Sequence, residues 1–361
     1  MSGRDMQHLP IIDGHNDTLL HLYLHERGGG RSFFEQSDSG EIDLPRARIG
    51  GMGAGFFAIF VPEESGMRPP SADDVILTDD GYTVPFAAPI DFNYARATTI
   101  AMMAKLFRLE AESAGQLKVV RDIAELTGAI HDGVLAAILH IEGAEAIDPD
   151  LDTLEVFYQA GVRSLGLVWS RPNGFGEGVP YRYPRTPDTG PGLSDAGFRL
   201  VAACNRLGIM LDLSHLNEQG FWDVTKISNA PLVATHSNAH GICPVTRNLT
   251  DRQLDAIKES DGMVGVAFDV TMLRPDGWLE PDTPLGVIVD HIDYLVERLG
   301  IDRVGFGSDF DGASIPTELK DVTGLPKLIA VLRDRGYDEP ALRKLTSENW
   351  IRVLRQAWHD G

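Results

Sequence analysis

Two cysteines, Cys204 and Cys243, in a chain of 361 residues leave no disulfide framework and no Cys-rich zinc motif. Two buried free thiols in a reducing compartment are the expected state of the pair. Long apolar runs are missing as well. No stretch approaches the roughly 20 apolar residues that span a bilayer, and Met1–Leu9 has no apolar run of signal-peptide length, so a cytoplasmic protein is expected. Positive charge is scarce: 32 Lys and Arg against 53 Asp and Glu give a formal net charge of -21. Such a balance excludes a general affinity for nucleic acid or an anionic membrane, and most of it reads as a solvated, self-repelling surface. The glycine-rich stretch Arg27–Arg31 lacks the Gly-Lys-Ser/Thr ending of a phosphate loop and reads as a flexible turn. A Ser-His-Asp triad can be drawn on paper from Ser214, Ser237 and their neighbouring histidines, but no Gly-x-Ser-x-Gly elbow accompanies it.

What is present is a core. With 43% apolar residues the chain can bury a large interior. Strand-type apolar runs recur near Leu9–Ile12, Ala54–Phe60, Leu135–Ile141, Ser164–Val168, Ile209–Leu213, Pro231–Ala234, Met263–Ala267 and Val304–Gly307. Between them lie segments of helical pattern: Tyr94–Glu112, Asp152–Ala160, Asp195–Leu207, Asp251–Lys258, Leu285–Leu299, Leu325–Arg335 and a final Glu339–Trp358. Ser194, and Thr283 or Pro284, look like helix starts. Strands alternating with helices imply a parallel sheet. The simplest closure is a (β/α)8 TIM-type barrel forming a single domain over residues 1–361, with a doubly wound open sheet as the alternative. Two connections, Val61–Asp91 and Ser170–Gly192, exceed ordinary βα loops and would lie over the catalytic end of a barrel.

The chemistry appears at the strand ends. The first run closes on Asp13-Gly14-His15-Asn16-Asp17, where His15 and Asp17, two apart, can share a face. Glu142 follows Leu139-His140-Ile141, His215 follows Leu211-Asp212-Leu213-Ser214, His236 follows Val233-Ala234-Thr235, and Asp309 follows Gly305-Phe306-Gly307-Ser308. In a barrel these positions converge on the rim where active sites of that fold are built. Imidazoles and carboxylates suit zinc, and two divalent cations side by side need a shared anionic ligand, for which Glu142 is the natural bridge. The small residues after it, Gly143-Ala144, leave room for a close approach of substrate. Solvated or capping roles are expected for His21, His25, His131, His291 and His359, a supporting or core role for His140, and an orienting role for Asp311.

Taken together, Asp13–Asp17, Ile141–Gly143, Leu213–His215, Thr235–Ala239, Arg247–Asp251, Gly307–Gly312 and Asn349–Val353 resemble the renal (membrane) dipeptidase family, in that family's order and over almost the whole chain. The resemblance implies an amidohydrolase-type barrel with two zinc ions that cleaves dipeptides, often with a D residue on the C-terminal side. It implies that His15, Asp17, Glu142 and Asp309 serve one ion and Glu142, His215 and His236 the other. Asp309 and Glu142 would be the catalytic carboxylates, with Asp309 handling the proton, and Arg247 would hold the substrate's C-terminal carboxylate. The family's histidine after the fourth strand is replaced by Trp169, so Arg171 or Asn173 takes over its contact with the scissile carbonyl, or polarisation is left to the metals.

The expected reaction is metal-assisted attack on the peptide carbonyl by a hydroxide bridging the ions. The expected partner is a small dipeptide, with no nucleic acid and no membrane, and a homodimer is compatible with the reading. Deacylation of an N-acyl amino acid on the same site is the rival activity. A metal-containing dipeptide-binding protein without turnover is the rival class.

Overall fold

The computed structural model describes residues 9–24, 30–64 and 75–359. His25 and most of the Arg27–Arg31 turn lie outside them, as does the middle of the first long loop. Eight parallel strands close on themselves: β1 (Ile11–Asn16), β2 (Met52–Phe60), β3 (Leu135–Glu142), β4 (Val162–Gly166), β5 (Met210–Asp212), β6 (Val233–Ala234), β7 (Met263–Val266) and β8 (Val304–Phe306). Consecutive strands pair all the way round. The circle shuts where Asp13 of β1 meets Phe306 of β8, so the sheet is a (β/α)8 barrel and not an open one.

All eight strands overlap the apolar runs seen in the sequence, β1 by Ile11 and Ile12 alone, because strands covered on both faces are apolar over much of their length. Three features differ from expectation. A ninth strand, Leu117–Val119, adds to β3 outside the circle. Within the two long connections, Ile76–Leu77, Tyr82–Val84 and Tyr181–Tyr183 pair into a small antiparallel sheet. The final helix is interrupted: Glu339–Arg343 passes through a π turn at Lys344–Glu348 before Asn349–Ala357. Ser194 caps its helix as expected by accepting from the Gly197 N–H. Neither Thr283 nor Pro284 caps the next helix: Gly286–Leu299 begins after Leu285, with no side-chain cap, while the Thr283 hydroxyl donates to the Glu280 carbonyl and accepts from Arg274.

The interior fills in two layers. Below the strand ends, Ile12, Phe56, Ile138, Met210, Val233 and Met263 pack around Trp350, which enters from the last helix and donates from Nε1 to the Phe306 carbonyl at 3.0 Å. A larger apolar layer lies between strands and helices. Trp350 thus plugs the bottom of the barrel, and polar side chains are left to the top. Cys204 and Cys243 are both free and buried.

Candidate active site

The strand ends bring His15, Asp17, Glu142, His215, His236 and Asp309 to one place. His15 Nε2 lies 3.8 Å from Asp17 Oδ2, 3.7 Å from Glu142 Oε2 and 3.9 Å from Asp309 Oδ1. On the other side of the Glu142 carboxylate, Oε1 is 3.0 Å from His215 Nε2 and 3.4 Å from His236 Nε2. Asp309 and His215 both have positive φ, at 63° and 66°. Just past their strands the chain bends through the left-handed region, so local backbone strain aims these side chains into the barrel mouth. A side chain at Gly312 would overlap the carboxylates of Asp17 and Asp309, so the turn after Asp309 is restricted to glycine.

Electrostatics forbid this set from being both fully charged and alone. Burial would depress His15, but Glu142, Asp17 and Asp309 outweigh it and lift it to about 10. Burial pushes Glu142 well above the carboxylate range and Asp309 up to about 7, with the neighbouring carboxylates adding to both. Burial, reinforced by nearby cationic groups, drives His215 and His236 well below the ordinary histidine value.

These residues fit divalent cations. The buried atoms His15 Nε2 and Asp17 Oδ1 have no hydrogen-bond partner. Two donors each about 2.1 Å from one ion at a tetrahedral angle lie about 3.4 Å apart. That is close to the separations within His15–Asp17–Glu142 and within Glu142–His215–His236, two groups of ligand type that share Glu142. A third geometric group replaces these partners with Asp212 beside His15 and His236. Asp212 is already engaged, however, accepting from Ser214 N at 3.0 Å, Thr235 N at 2.9 Å and Thr235 Oγ1 at 2.6 Å.

Arg247 is buried near this centre. Its Nη2 donates to the His236 carbonyl at 3.2 Å, while its Nε has no partner. Trp169 forms a wall, its ring centroid 4.9 Å from Phe60 and 5.8 Å from His215. Arg171 and Asn173 are occupied by the scaffold. Arg171 Nε donates to Glu145 Oε1 at 2.7 Å and its Nη2 to the Val61 carbonyl at 2.7 Å. Asn173 donates to the Leu167 carbonyl and accepts from Phe175 N. Gly143 serves the backbone more than the substrate: its φ is 85°, and a side chain there would strike Glu145.

Of the other histidines, His140 supports from below, its Nδ1 2.9 Å from Ser164 Oγ. His291 is a core residue that accepts from Ala239 N and donates to the Leu273 carbonyl. Asp311 binds Thr18 Oγ1 at 3.0 Å and Glu41 N at 2.6 Å. Sequence reasoning missed Asp212, Thr235 and Ser170, whose hydroxyl lies 2.9 Å from His215 Nδ1. The signal was present: Asp212 is a lone carboxylate inside an apolar strand, but its partners come from the neighbouring strand.

No helix among the described residues is long and apolar enough to cross a membrane. The family model for membrane dipeptidase (peptidase family M19) matches residues 4–359. A crystal structure of a metallo peptidase from Rhodobacter sphaeroides, liganded with a phosphinate mimic of L-Ala-D-Ala, is 49% identical. It covers 97% of this chain and 99% of its own, with a TM-score of 0.92. The crystal structure of dipeptidase AC, also a metallo peptidase, is 50% identical over 98% of this chain and 99% of its own, with a TM-score of 0.90. The dipeptidase aclJ of Aspergillus oryzae is 30% identical over 97% of this chain and 79% of its own length.

Proposed function

Because the chain belongs to the membrane dipeptidase family, matched from residue 4 to 359, we propose that it is a zinc-dependent dipeptidase accepting a D residue on the C-terminal side. The observation that carries this reading is the Glu142 carboxylate, with one oxygen facing His15 and the other facing His215 and His236. The relative bound to a mimic of L-Ala-D-Ala supports the stereochemistry.

His15, Asp17 and Glu142, with Asp309 beside them, would hold one ion, and Glu142, His215 and His236 the other. Divalent ions so held acidify water, to a pKa of about 7 from 15.7, and polarise a carbonyl. Asp309 takes the proton from the attacking water and delivers it to the departing amine. Its carboxylate stands 3.9 Å from His15 Nε2, at the edge of the first cluster, where it can accept a proton from water and pass it on.

Arg247, anchored through Nη2, presents its unpartnered Nε to the C-terminal carboxylate of the dipeptide. Trp169 walls the site where the family's histidine would stand. Arg171 and Asn173 are tied into the loop, so polarisation of the scissile carbonyl would be left to ions held by the histidine and carboxylate set. The two free buried thiols favour a cytoplasmic location.

The test is a dipeptide library with D-containing members, assayed for released amino acids with metal content measured on the same sample. The reading stands if D-terminal dipeptides are hydrolysed by protein carrying two zinc ions. It fails if metal-replete protein releases no amino acids. N-acyl amino acids share the carboxylate that Arg247 would hold, so they belong in the same panel, and faster turnover of them would reassign the substrate.

A further inference from the structure

Beneath the cation ligands a polar chain crosses the barrel from strand to strand. Asp212, at the end of β5, uses Oδ1 to accept the backbone N–H groups of Ser214 and Thr235, at 3.0 and 2.9 Å. Its Oδ2 lies 2.6 Å from Thr235 Oγ1, and Thr235 Oγ1 lies 2.9 Å from His236 Nδ1. Asp212, Thr235 and His236 are all buried.

A hydroxyl carries a single hydrogen. Directed at the Asp212 carboxylate, the Thr235 hydrogen is spent, so Thr235 Oγ1 meets His236 as an acceptor. The hydrogen in that contact must belong to the imidazole, on Nδ1. We propose that Thr235, backed by Asp212, is a positioning residue that fixes the tautomer of His236 so that Nε2 presents a bare lone pair to a divalent cation.

The inference rests on the metal-site reading only for what the lone pair meets; the tautomer follows from the hydroxyl. A ring nitrogen bearing hydrogen cannot coordinate, and the partner of the other nitrogen decides which of the two is free. Valine at position 235 would keep the branched shape and remove the acceptor. Serine would keep the acceptor.

The experiment is two-bond nitrogen-15 correlation spectroscopy on histidine-labelled, metal-free protein, beside zinc titration against a chromophoric chelator. The wild type and Thr235→Ser are expected to show His236 protonated on Nδ1. Thr235→Val is expected to populate the Nε2–H form and to bind one of two zinc ions about 10–100-fold more weakly. An Nε2–H tautomer in the metal-free wild type overturns the proposal, as does a Thr235→Val variant with unchanged tautomer and affinity. Should that variant not fold, the wild-type and Thr235→Ser spectra still decide. A wild type that binds no zinc would defeat the metal-site reading, and the spectra would still report on Thr235 separately.

Discussion

The backbone N–H of Asp309 donates to the carbonyl of His15 at 3.0 Å, while their side chains meet across 3.9 Å, His15 Nε2 to Asp309 Oδ1. With the Asp17 N–H donating to the Phe310 carbonyl at 2.8 Å, the joined ends of the first and last strands set the spacing of an imidazole and a carboxylate. Because the backbone holds Asp309 in place, replacing its carboxylate changes chemistry more than position. Asp309→Asn is expected to lower kcat by about 100-fold or more, since an amide cannot accept the proton. Steady-state kinetics on samples of measured metal content checks this, and full kcat in fully metallated mutant removes Asp309 from the proton path.

Glu142 divides its two oxygens between two clusters. Glu142→Gln should therefore lower occupancy of both ions, whereas His215→Ala should mainly empty one. Elemental analysis after dialysis against a weak chelator distinguishes these outcomes. Two retained ions in Glu142→Gln would mean that the carboxylate is not shared.

Arg247 and the substrate carboxylate form one contact from opposite sides. Capping the dipeptide as an amide, or making Arg247→Ala, should each cost about 2–5 kcal/mol in kcat/KM, because each strands a partner in a largely dry site. Combined, the two changes should cost less than their sum. If the mutant prefers free dipeptide over its amide by the wild-type factor, the carboxylate is held elsewhere.

Arg171 tests scaffold against substrate. Its bond to Glu145 is fully buried, so Arg171→Ala should destabilise by about 3–5 kcal/mol by leaving an unpaired charge. The apolar pair Arg171→Met with Glu145→Leu should recover most of the loss in a thermal melt and keep activity. A stable but inactive double variant would instead give Arg171 to substrate binding.

His291 supplies a pH dependence away from the metal ligands. Burial lowers it to about 4, and its Nδ1 already accepts the Ala239 N–H. A native value below the unfolded one, about 6.5, means that the unfolded chain binds the extra proton. Stability is then complete above about 6.5 and is lost as pH falls towards 4, by about 3 kcal/mol from this group. Urea midpoints of metal-free wild type should fall across that window more steeply than those of His291→Gln. Parallel curves would show that His291 is not the titrating group.

The barrel and its rim were legible because both follow from one-dimensional patterns. Doubly buried strands are apolar over much of their length, and ligand-type residues recur at the end of five of them. The apolar stretches around Ile76–Leu77 and Leu117–Val119 run to only two or three residues, against the four or more that marked even the shortest barrel strands. The π turn at Lys344–Glu348, Lys-Leu-Thr-Ser-Glu, contains no Gly or Pro to mark it, so the break it makes was hidden. Arg171 and Asn173 stood at the right place in sequence to reach substrate, but their partners Glu145, Val61 and Leu167 come from the preceding loops and strand ends. Asp212 and Thr235 looked like isolated polar residues until barrel closure placed them side by side.

That closure also constrains biosynthesis. The Ser308 N–H donates to Asp13 Oδ1 at 2.7 Å across 295 residues of chain, and it does so where β1 meets β8. At roughly 5–20 residues per second a ribosome needs on the order of 15–60 s to span that separation. During this interval β1 has one neighbouring strand and an unpaired edge, and His15 and Asp17 lack Asp309. The cation-binding centre is therefore among the last parts of the molecule to be completed, and the nascent barrel must be kept from pairing its open edge with another chain until β8 arrives.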